Sequence, residues 1–287
     1  MTHKPVTVQD LIDGGAVRIA AALGLEKRDA RLDARVLAAH VWGVDAAWLI
    51  AHDTDAPSEA LVAAFERLLS SRLQGVPIAY LVGAREFYGR RFEVSADVLI
   101  PRPATERLVE LALAHIPADR AIDVLDLGTG SGCIAVTLAA ERPLAHVTAV
   151  DRSASALMTA RRNAENHNTR VEFLTGNWFA GLGGRRFDLI VSNPPYVRAA
   201  DPHLARGDLR FEPATALAAG GDGLSDLRQL ASGAAAHLKP GGVLLLEHGY
   251  DQADVVKKML RINGFPDPQT WTDLSNIDRV SGGQVSE

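Results

Sequence analysis

Apolar positions recur at helical spacing through the first quarter of the chain, then give way to short apolar runs separated by helical stretches. Leu11, Ile12, Ile19 and Leu23 follow Thr7, with Asp10 in the first turn, which is a helix-start signal. Leu32, Val36, Leu37, Ala39 and Val41 carry a second helix. Ser58 caps another, whose stripe of Leu61, Phe65, Leu68, Leu69 and Leu73 ends near Gly75. Residues 1–75 therefore predict a small helical bundle, with Arg and Asp side chains on solvated faces and no evident catalytic group. Over residues 76–105 the pattern changes. Glu86-Phe87-Tyr88, Gly89 and Phe92-Glu93-Val94 predict a hairpin. Val98-Leu99-Ile100-Pro101-Arg102-Pro103 is kept out of helix by its prolines and reads as a linker crossing the mouth of the next domain. Arg102 reads as either a surface charge or a cleft residue, and sequence alone favours the surface.

From residue 106 to 287, helices and strands alternate, which predicts a parallel sheet with helices on both faces. A helix over Glu106 to His115 leads to a strand over Ile122 to Leu127, then Gly128-Thr129-Gly130-Ser131-Gly132 and a helix from Cys133 to Ala140. His146 to Val150 is the next strand, ending in Asp151, and Ser153 opens a helix to about His167. Val171 to Thr175 and Phe187 to Val191 are further strands, the second running into Asn193-Pro194-Pro195-Tyr196. A polar, irregular stretch over 197–222 has the length of a lid or binding loop. Helix 224–238, strand Val243 to Glu247 and helix Gln252 to Asn263 complete the alternation.

Length, 287 residues, suggests about two domains. The composition, 47% hydrophobic and 23% charged, is that of a globular protein, and no apolar run approaches the length of a membrane span. A net charge of −5 removes the basic footprint of an extended nucleic-acid binder. Neither half is cationic: up to Gly75 there are eight basic and ten acidic residues, and beyond it 22 and 25. Cys133 is the only cysteine, which excludes an internal disulfide and a cysteine zinc cluster. With a start, Met1 to Pro5, lacking an apolar signal core, this predicts a cytoplasmic protein.

The chemistry is carried by two strand ends. A glycine loop at a helix N-terminus lets backbone approach a ligand closely. An acid at the end of the next strand, Asp151, is placed to accept both hydroxyls of a ribose. The spacing is Gly-x-Gly-x-Gly, so no diphosphate cradle is required, which suits a nucleoside cofactor such as S-adenosylmethionine. Trp178 is placed to pack beside an adenine with Asn177 hydrogen-bonding near it; the competing reading puts Trp178 and Phe179 in the core. Asp126 either contacts the cofactor's amino-acid part or caps the turn after it. At the second strand end, two prolines remove backbone donors and hold Asn193 extended. Asn193 offers an acceptor and donors, and Tyr196 a flat ring. Such a site can grip a planar amide or amidine. Glu247-His248 reads as a plain strand end, not an acid–base pair.

Taken together, Pro77-Ile78-Ala79-Tyr80-Leu81, Glu86-Phe87-Tyr88-Gly89, Leu99-Ile100-Pro101-Arg102-Pro103, Asp126-Leu127-Gly128-Thr129-Gly130-Ser131-Gly132, Asn193-Pro194-Pro195-Tyr196 and Gly207-Asp208-Leu209-Arg210-Phe211-Glu212-Pro213 make the chain resemble the PrmC/HemK family over nearly its whole length. The resemblance implies a seven-stranded class I (Rossmann-like) S-adenosylmethionine-dependent methyltransferase domain behind a helical domain that helps hold a bacterial class I release factor. It implies methylation of the glutamine side chain in that factor's Gly-Gly-Gln motif. Cofactor contacts are then expected at Gly128, Thr129, Gly130, Ser131, Gly132, Asp151, Trp178 and Asn193. Substrate contacts are expected at Asn193, Pro194, Pro195 and Tyr196, with Asn193, Pro194 and Tyr196 the catalytic set. No metal, membrane or nucleic-acid partner is expected, and the protein is expected to be a monomer. Ala104 and Asn177 depart from the family, which usually has acids there.

Where that family finishes with a strand after the Arg279-Val280 position, this chain has Ser281-Gly282-Gly283-Gln284, which spells the substrate tripeptide. Chance is one reading and a pseudosubstrate tail visiting an active site the other. Rival functions are methylation of a ribosomal-protein glutamine, adenine-N6 methylation of DNA, which shares the Asn-Pro-Pro-aromatic motif, and a cofactor-binding scaffold without catalysis.

Overall fold

Thr7 starts the first helix by a reciprocal capping box: its hydroxyl accepts the Asp10 N–H, and the Asp10 carboxylate accepts the Thr7 N–H at 3.0 Å. The computed structural model describes residues 6–286, so the chain's opening, Met1 to Pro5, lies outside the described residues. One compact unit comprises the chain through Ala84 together with Ala205–Phe211; the other comprises Arg85–Leu204 and the chain from Glu212 onward.

The first unit holds α1 (Val8–Leu23), α2 (Lys27–Trp42), α3 (Ala46–Ala51), α4 (Glu59–Leu73) and α5 (Ile78–Val82) around Ile12, Ile19, Leu37, Phe65 and Leu69. Helices α3 and α5 are absent from the sequence reading because one or two turns are too short to show a period. Asp45 nonetheless caps α3 by accepting the Trp48 N–H at 2.7 Å. Arg72 is a correction: expected on a solvated face, it is only 6% exposed. It donates to Asp33 at 2.8 Å, to the Val76 carbonyl at 3.1 Å and to Asp208 at 3.0 Å. Arg210 donates to the Gln74 carbonyl at 2.6 Å. A short piece of the long polar segment is thus fastened to the bundle by arginine forks.

The second unit opens with a hairpin, β1 (Ala84–Phe87) and β2 (Arg90–Glu93), and α6 (Glu106–His115). Then follow β3 (Asp123–Leu127), α7 (Cys133–Glu141), β4 (His146–Asp151), α8 (Ala154–Asn166), β5 (Val171–Thr175) and β6 (Phe187–Ser192). Helices α9 (Ala214–Leu217) and α10 (Ser225–Ala234), strand β7 (Leu238–Glu247), helix α11 (Ala253–Ile262), and strands β8 (Gln269–Thr272) and β9 (Asp278–Gln284) complete it. The seven-stranded sheet runs β5-β4-β3-β6-β7-β9-β8 and is parallel except for β9, which lies antiparallel between β7 and β8.

Strand alternation divides the core. Val124, Leu189, Val191, Val243 and Leu245 face α6, α7 and the hairpin's Phe87 and Phe92. Leu125, Ile190, Leu244 and Leu246 face α10 and α11. Strand order reverses between β3 and β6, so the carboxyl ends there splay into a crevice. At the opposite edge of the sheet, Lys239 Nζ donates to both Asp123 and Asp188 at 2.7 Å, bracing the starts of β3, β6 and β7.

Two expectations change. Strand β7 begins at Leu238, five residues before Val243. The chain also finishes with the strand that the tail's composition hid: β9 runs through Ser281-Gly282-Gly283-Gln284, with Gln284 opposite Val243 and Val280 opposite Glu247. Gln284 therefore lies at the end of the sheet away from the crevice, paired and hydrogen-bonded to the Gly241 carbonyl at 2.8 Å. It is a sheet residue, not a tail free to visit its own active site.

Candidate active site

Strand β3 ends in a loop whose glycines at 128, 130 and 132 have φ of 73°, 55° and 80°. Only residues without a Cβ take that backbone easily. A Cβ on Gly130 would meet nothing within 4 Å, so this glycine faces open space. Gly132 does a different job: a Cβ there would lie 3.0 Å from that of Ala160, so it lets α7 pack closely on α8. Buried Asn163 fastens the loop from behind, donating to the Ser131 and Glu93 carbonyls at 2.8 and 3.0 Å and accepting the Glu93 N–H at 2.7 Å. The hairpin and the glycine loop are thereby held to one helix.

In front of the loop is a cavity of about 260 Å³. Gly128, Thr129, Gly130, Ser131, Asp151, Trp178, Asn193 and Pro195 line it; Gly132, Pro194 and Tyr196 do not. Asp151 accepts the Gly130 N–H at 2.8 Å through one oxygen and the Ser153 N–H at 2.9 Å through the other. Its carboxylate is fixed in place with lone pairs left for a ligand. Trp178 adopts φ 53°, a left-handed backbone costing a bulky residue about 1–3 kcal/mol. Its indole N–H donates to Asp226 at 3.2 Å. The two aromatics after β5 thus have different places: Trp178 is at the cavity wall, whereas Phe179 stacks on His237 at 4.9 Å. Asn177 lines the cavity too, and Asp226 beside it is an acid the sequence reading did not single out.

Asp126 does not line the cavity. It is fully buried and accepts the Thr129 hydroxyl at 2.7 Å, capping the turn; burial raises its pKa to about 7. Burial likewise pushes the Cys133 thiol up to about 12.

Arg102 corrects a further expectation. It lines the cavity and donates to Glu212, whose side chain is wholly buried and whose other oxygen accepts the Ile100 N–H at 3.0 Å. The extended segment 98–103 is thus tied to the stretch after the polar loop. A glutamate 110 residues downstream carries no local signal of this.

At the second strand end, Asn193 donates through Nδ2 to the Thr105 hydroxyl at 3.0 Å. Tyr196 donates to Glu247 at 3.2 Å. Glu247 is therefore more than a strand end: it is fully buried, and its pKa is raised to about 7 by burial, against the pull of the Thr105 and Tyr196 hydroxyls. His248 points the other way. Its Nδ1 meets the Gly249 carbonyl and Nε2 the Ser281 hydroxyl, both at 2.8 Å. Since a carbonyl only accepts, Nδ1 carries the proton and Nε2 accepts from Ser281. The pair is not a dyad. Phase within β7 is the signal that was available: Glu247 falls in register with buried Val243 and Leu245, an isolated acid on an apolar face.

The donor set fits a nucleoside cofactor with a sulfonium arm. It offers close-approach backbone, a fixed carboxylate for a diol, an indole for a flat base and a polar amide. No cluster of metal-ligating side chains stands among the described residues, and no described helix is long and apolar enough to cross a membrane.

Residues 105–224 match the family described as Methyltransferase small domain, and residues 17–83 match the PrmC N-terminal domain. The chain is 51% identical over 256 residues to the release factor glutamine methyltransferase of Bordetella pertussis, covering 89% of this chain and 95% of that one. It is 49% identical over 267 residues to the protein of that name from Xylella fastidiosa strain Temecula1, covering 93% and 97%. Among solved structures it is similar in fold to a methyltransferase from Pyrococcus furiosus, with a TM-score of 0.54 at 19% identity over 77% of this chain and 100% of that one. A 16S rRNA methyltransferase of T. thermophilus, in complex with AdoMet and guanosine, gives a TM-score of 0.50 at 21% identity over 70% and 49%.

Proposed function

The chain belongs to the release factor glutamine methyltransferases, and from that premise we propose that it transfers a methyl group from S-adenosylmethionine to the glutamine side-chain nitrogen in the Gly-Gly-Gln motif of bacterial class I peptide chain release factors. The observation that carries the reading is the placement of Asn193 at the wall of the glycine-loop cavity, with Nδ2 committed to Thr105 and Oδ1 left as an acceptor.

An amide nitrogen is a weak nucleophile because its lone pair is delocalised into the carbonyl. When bound, S-adenosylmethionine would supply an electrophilic methyl on a sulfonium that leaves as a neutral thioether, while the amide nitrogen that gains the methyl gives up one of its two protons to water. Everything else is positioning. Asn193 Oδ1 and the Pro194 carbonyl accept the two amide hydrogens, which turns the nitrogen's out-of-plane lone pair toward the cavity. The Tyr196 ring covers the amide face. Holding reactants in this way is worth on the order of 7–11 kcal/mol. Gly128 to Ser131 give the cofactor a backbone surface, Asp151 takes the ribose hydroxyls and Trp178 lies along the adenine, with Gly132 serving the loop through helix packing. The helical unit helps hold the release factor. The protein works as a monomer in the cytoplasm without binding nucleic acid.

Mass spectrometry of a purified release factor incubated with this protein and S-adenosylmethionine tests the reading. One added methyl on the Gly-Gly-Gln glutamine is expected. No gain on that residue, with a ribosomal protein or adenine-containing DNA methylated instead, would reassign the substrate. Asp151→Asn is expected to weaken cofactor binding about tenfold or more by calorimetry, since an amide cannot accept through both oxygens. Undiminished affinity would remove Asp151 from the ribose.

A further inference from the structure

Asn193 can serve as an acceptor toward the substrate only if its side-chain amide is held in one of two flipped orientations. Thr105 alone cannot hold it, because a hydroxyl either donates or accepts. We propose that Glu247, acting through Thr105, is the positioning residue that fixes the donor–acceptor sense of Asn193; the inference rests on the amide-methylating role proposed above.

The argument is one of hydrogen-bond polarity along a short chain. Asn193 Nδ2 meets Thr105 Oγ1 at 3.0 Å, and Thr105 is only 2% exposed. If Thr105 accepts there, its own proton must be directed elsewhere, and hydrogen bonding by the Thr105 hydroxyl is among the influences that favour an ionised Glu247. Glu247 is wholly buried; one oxygen accepts the Tyr196 hydroxyl at 3.2 Å, and the other, Oε2, has no hydrogen bond of good geometry among the described residues. A buried carboxylate oxygen without a donor is costly, and the Thr105 hydroxyl, whose hydrogen bonding favours the ionised carboxylate, is the donor we assign to it. An ionised Glu247 then forces Thr105 to accept from Asn193, which leaves Oδ1 toward the cavity. A protonated Glu247 donates instead. The Thr105 proton then points at Asn193, the amide flips, and N–H groups face the substrate's own N–H groups. The same carboxylate orders Tyr196, so both polar side chains of the Asn-Pro-Pro-Tyr turn depend on one buried charge.

The groups around Glu247 are consistent with a carboxyl balanced between its two forms. Burial favours the protonated form, whereas Arg279 from β9 and Arg102 from the extended segment favour the ionised one. Cys133 of α7 lies near enough for the carboxylate to raise its thiol pKa, and remains a thiol. His248 is turned toward Ser281 and is not part of the chain. The Glu247 pKa of about 7 places the change of polarity near neutrality.

The test uses the full-length protein. Turnover at saturating cofactor and release factor is expected to fall about tenfold per pH unit below 7, since the ionised fraction falls tenfold per unit. Glu247→Gln should lower turnover about 10- to 100-fold and abolish that acid limb, with cofactor affinity by calorimetry unchanged. Thr105→Val should lose as much, and Thr105→Ser should recover most of it. Carbon-13 NMR of labelled glutamate carboxyls, read without cofactor, should show one group titrating near pH 7 that vanishes in Glu247→Gln. Asp126, the other carboxyl raised to about 7, caps the cofactor loop and would act on cofactor affinity, which saturation removes from the profile. An acid limb that survives in Glu247→Gln, or Thr105→Val with wild-type turnover, would overturn the inference. A wild-type protein that leaves the release factor unmethylated would overturn the functional reading instead, while the NMR titration still reports on Glu247.

Discussion

Asn193→Ala is expected to lower turnover on a release factor by about 10²- to 10⁴-fold while affecting cofactor affinity much less. The separation follows from geometry. Most of the cofactor's surroundings are the glycine loop, Asp151 and Trp178, on strand ends that the substitution does not touch. What alanine removes is the acceptor that orients the amide nitrogen. The fold should survive, because Asn193 is only partly buried and its partner Thr105 can turn its hydroxyl to Glu247. Single-turnover methylation followed by mass spectrometry, beside calorimetric titration of the cofactor, reads the two quantities separately. Equal turnover in the variant would take the amide-orienting role away from Asn193.

The second large effect is on stability and falls where sequence reading went astray. A Cβ on Gly282 would lie 2.3 Å from the Leu244 carbonyl oxygen and 2.7 Å from a Leu245 methyl. The carbonyl belongs to the neighbouring strand and cannot yield without parting β7 from β9. Gly282→Val is therefore expected to destabilise the protein by about 3 kcal/mol or more, roughly 6–12 °C in Tm. Removing residues 281–287 takes away over half of the strand that joins β8 to the sheet, and the truncated chain should fail to fold. Thermal unfolding followed by circular dichroism checks both; a Gly282→Val protein melting with the wild type would show that the strand does not pack as described. Gln284 should be unmodified when the intact protein is incubated with its cofactor.

Most of the sheet was legible because parallel strands buried on both faces read as near-continuous apolar runs bounded by glycine, asparagine or proline. Phe187 to Val191 and Ile122 to Leu127 are of that kind. Strand β9 was not, because Asp278, Ser281, Gly282 and Gly283 are poor strand formers whose pairing is imposed by the neighbours on each side. The glycine loop, Asp151, Trp178 and the Asn-Pro-Pro-Tyr turn could be singled out because strand ends announce themselves in sequence. The buried pairings of Arg102, Glu212, Thr105 and Glu247 were not legible because each owes its place to a partner from a distant part of the chain. The close register of β7 with β6 brings Glu247 beside a turn 51 residues earlier, a fact no local window contains.

The lysine brace at the far edge of the sheet has a bearing on how this protein can change. Lys239, Asp123 and Asp188 secure three strand starts, while every group assigned to the chemistry lies at or beyond the strand finishes. The brace and the groups assigned to the chemistry thus occupy opposite rims of one sheet. Changes to the brace are therefore expected to leave the groups of the crevice in place, and changes at the crevice to leave the brace in place.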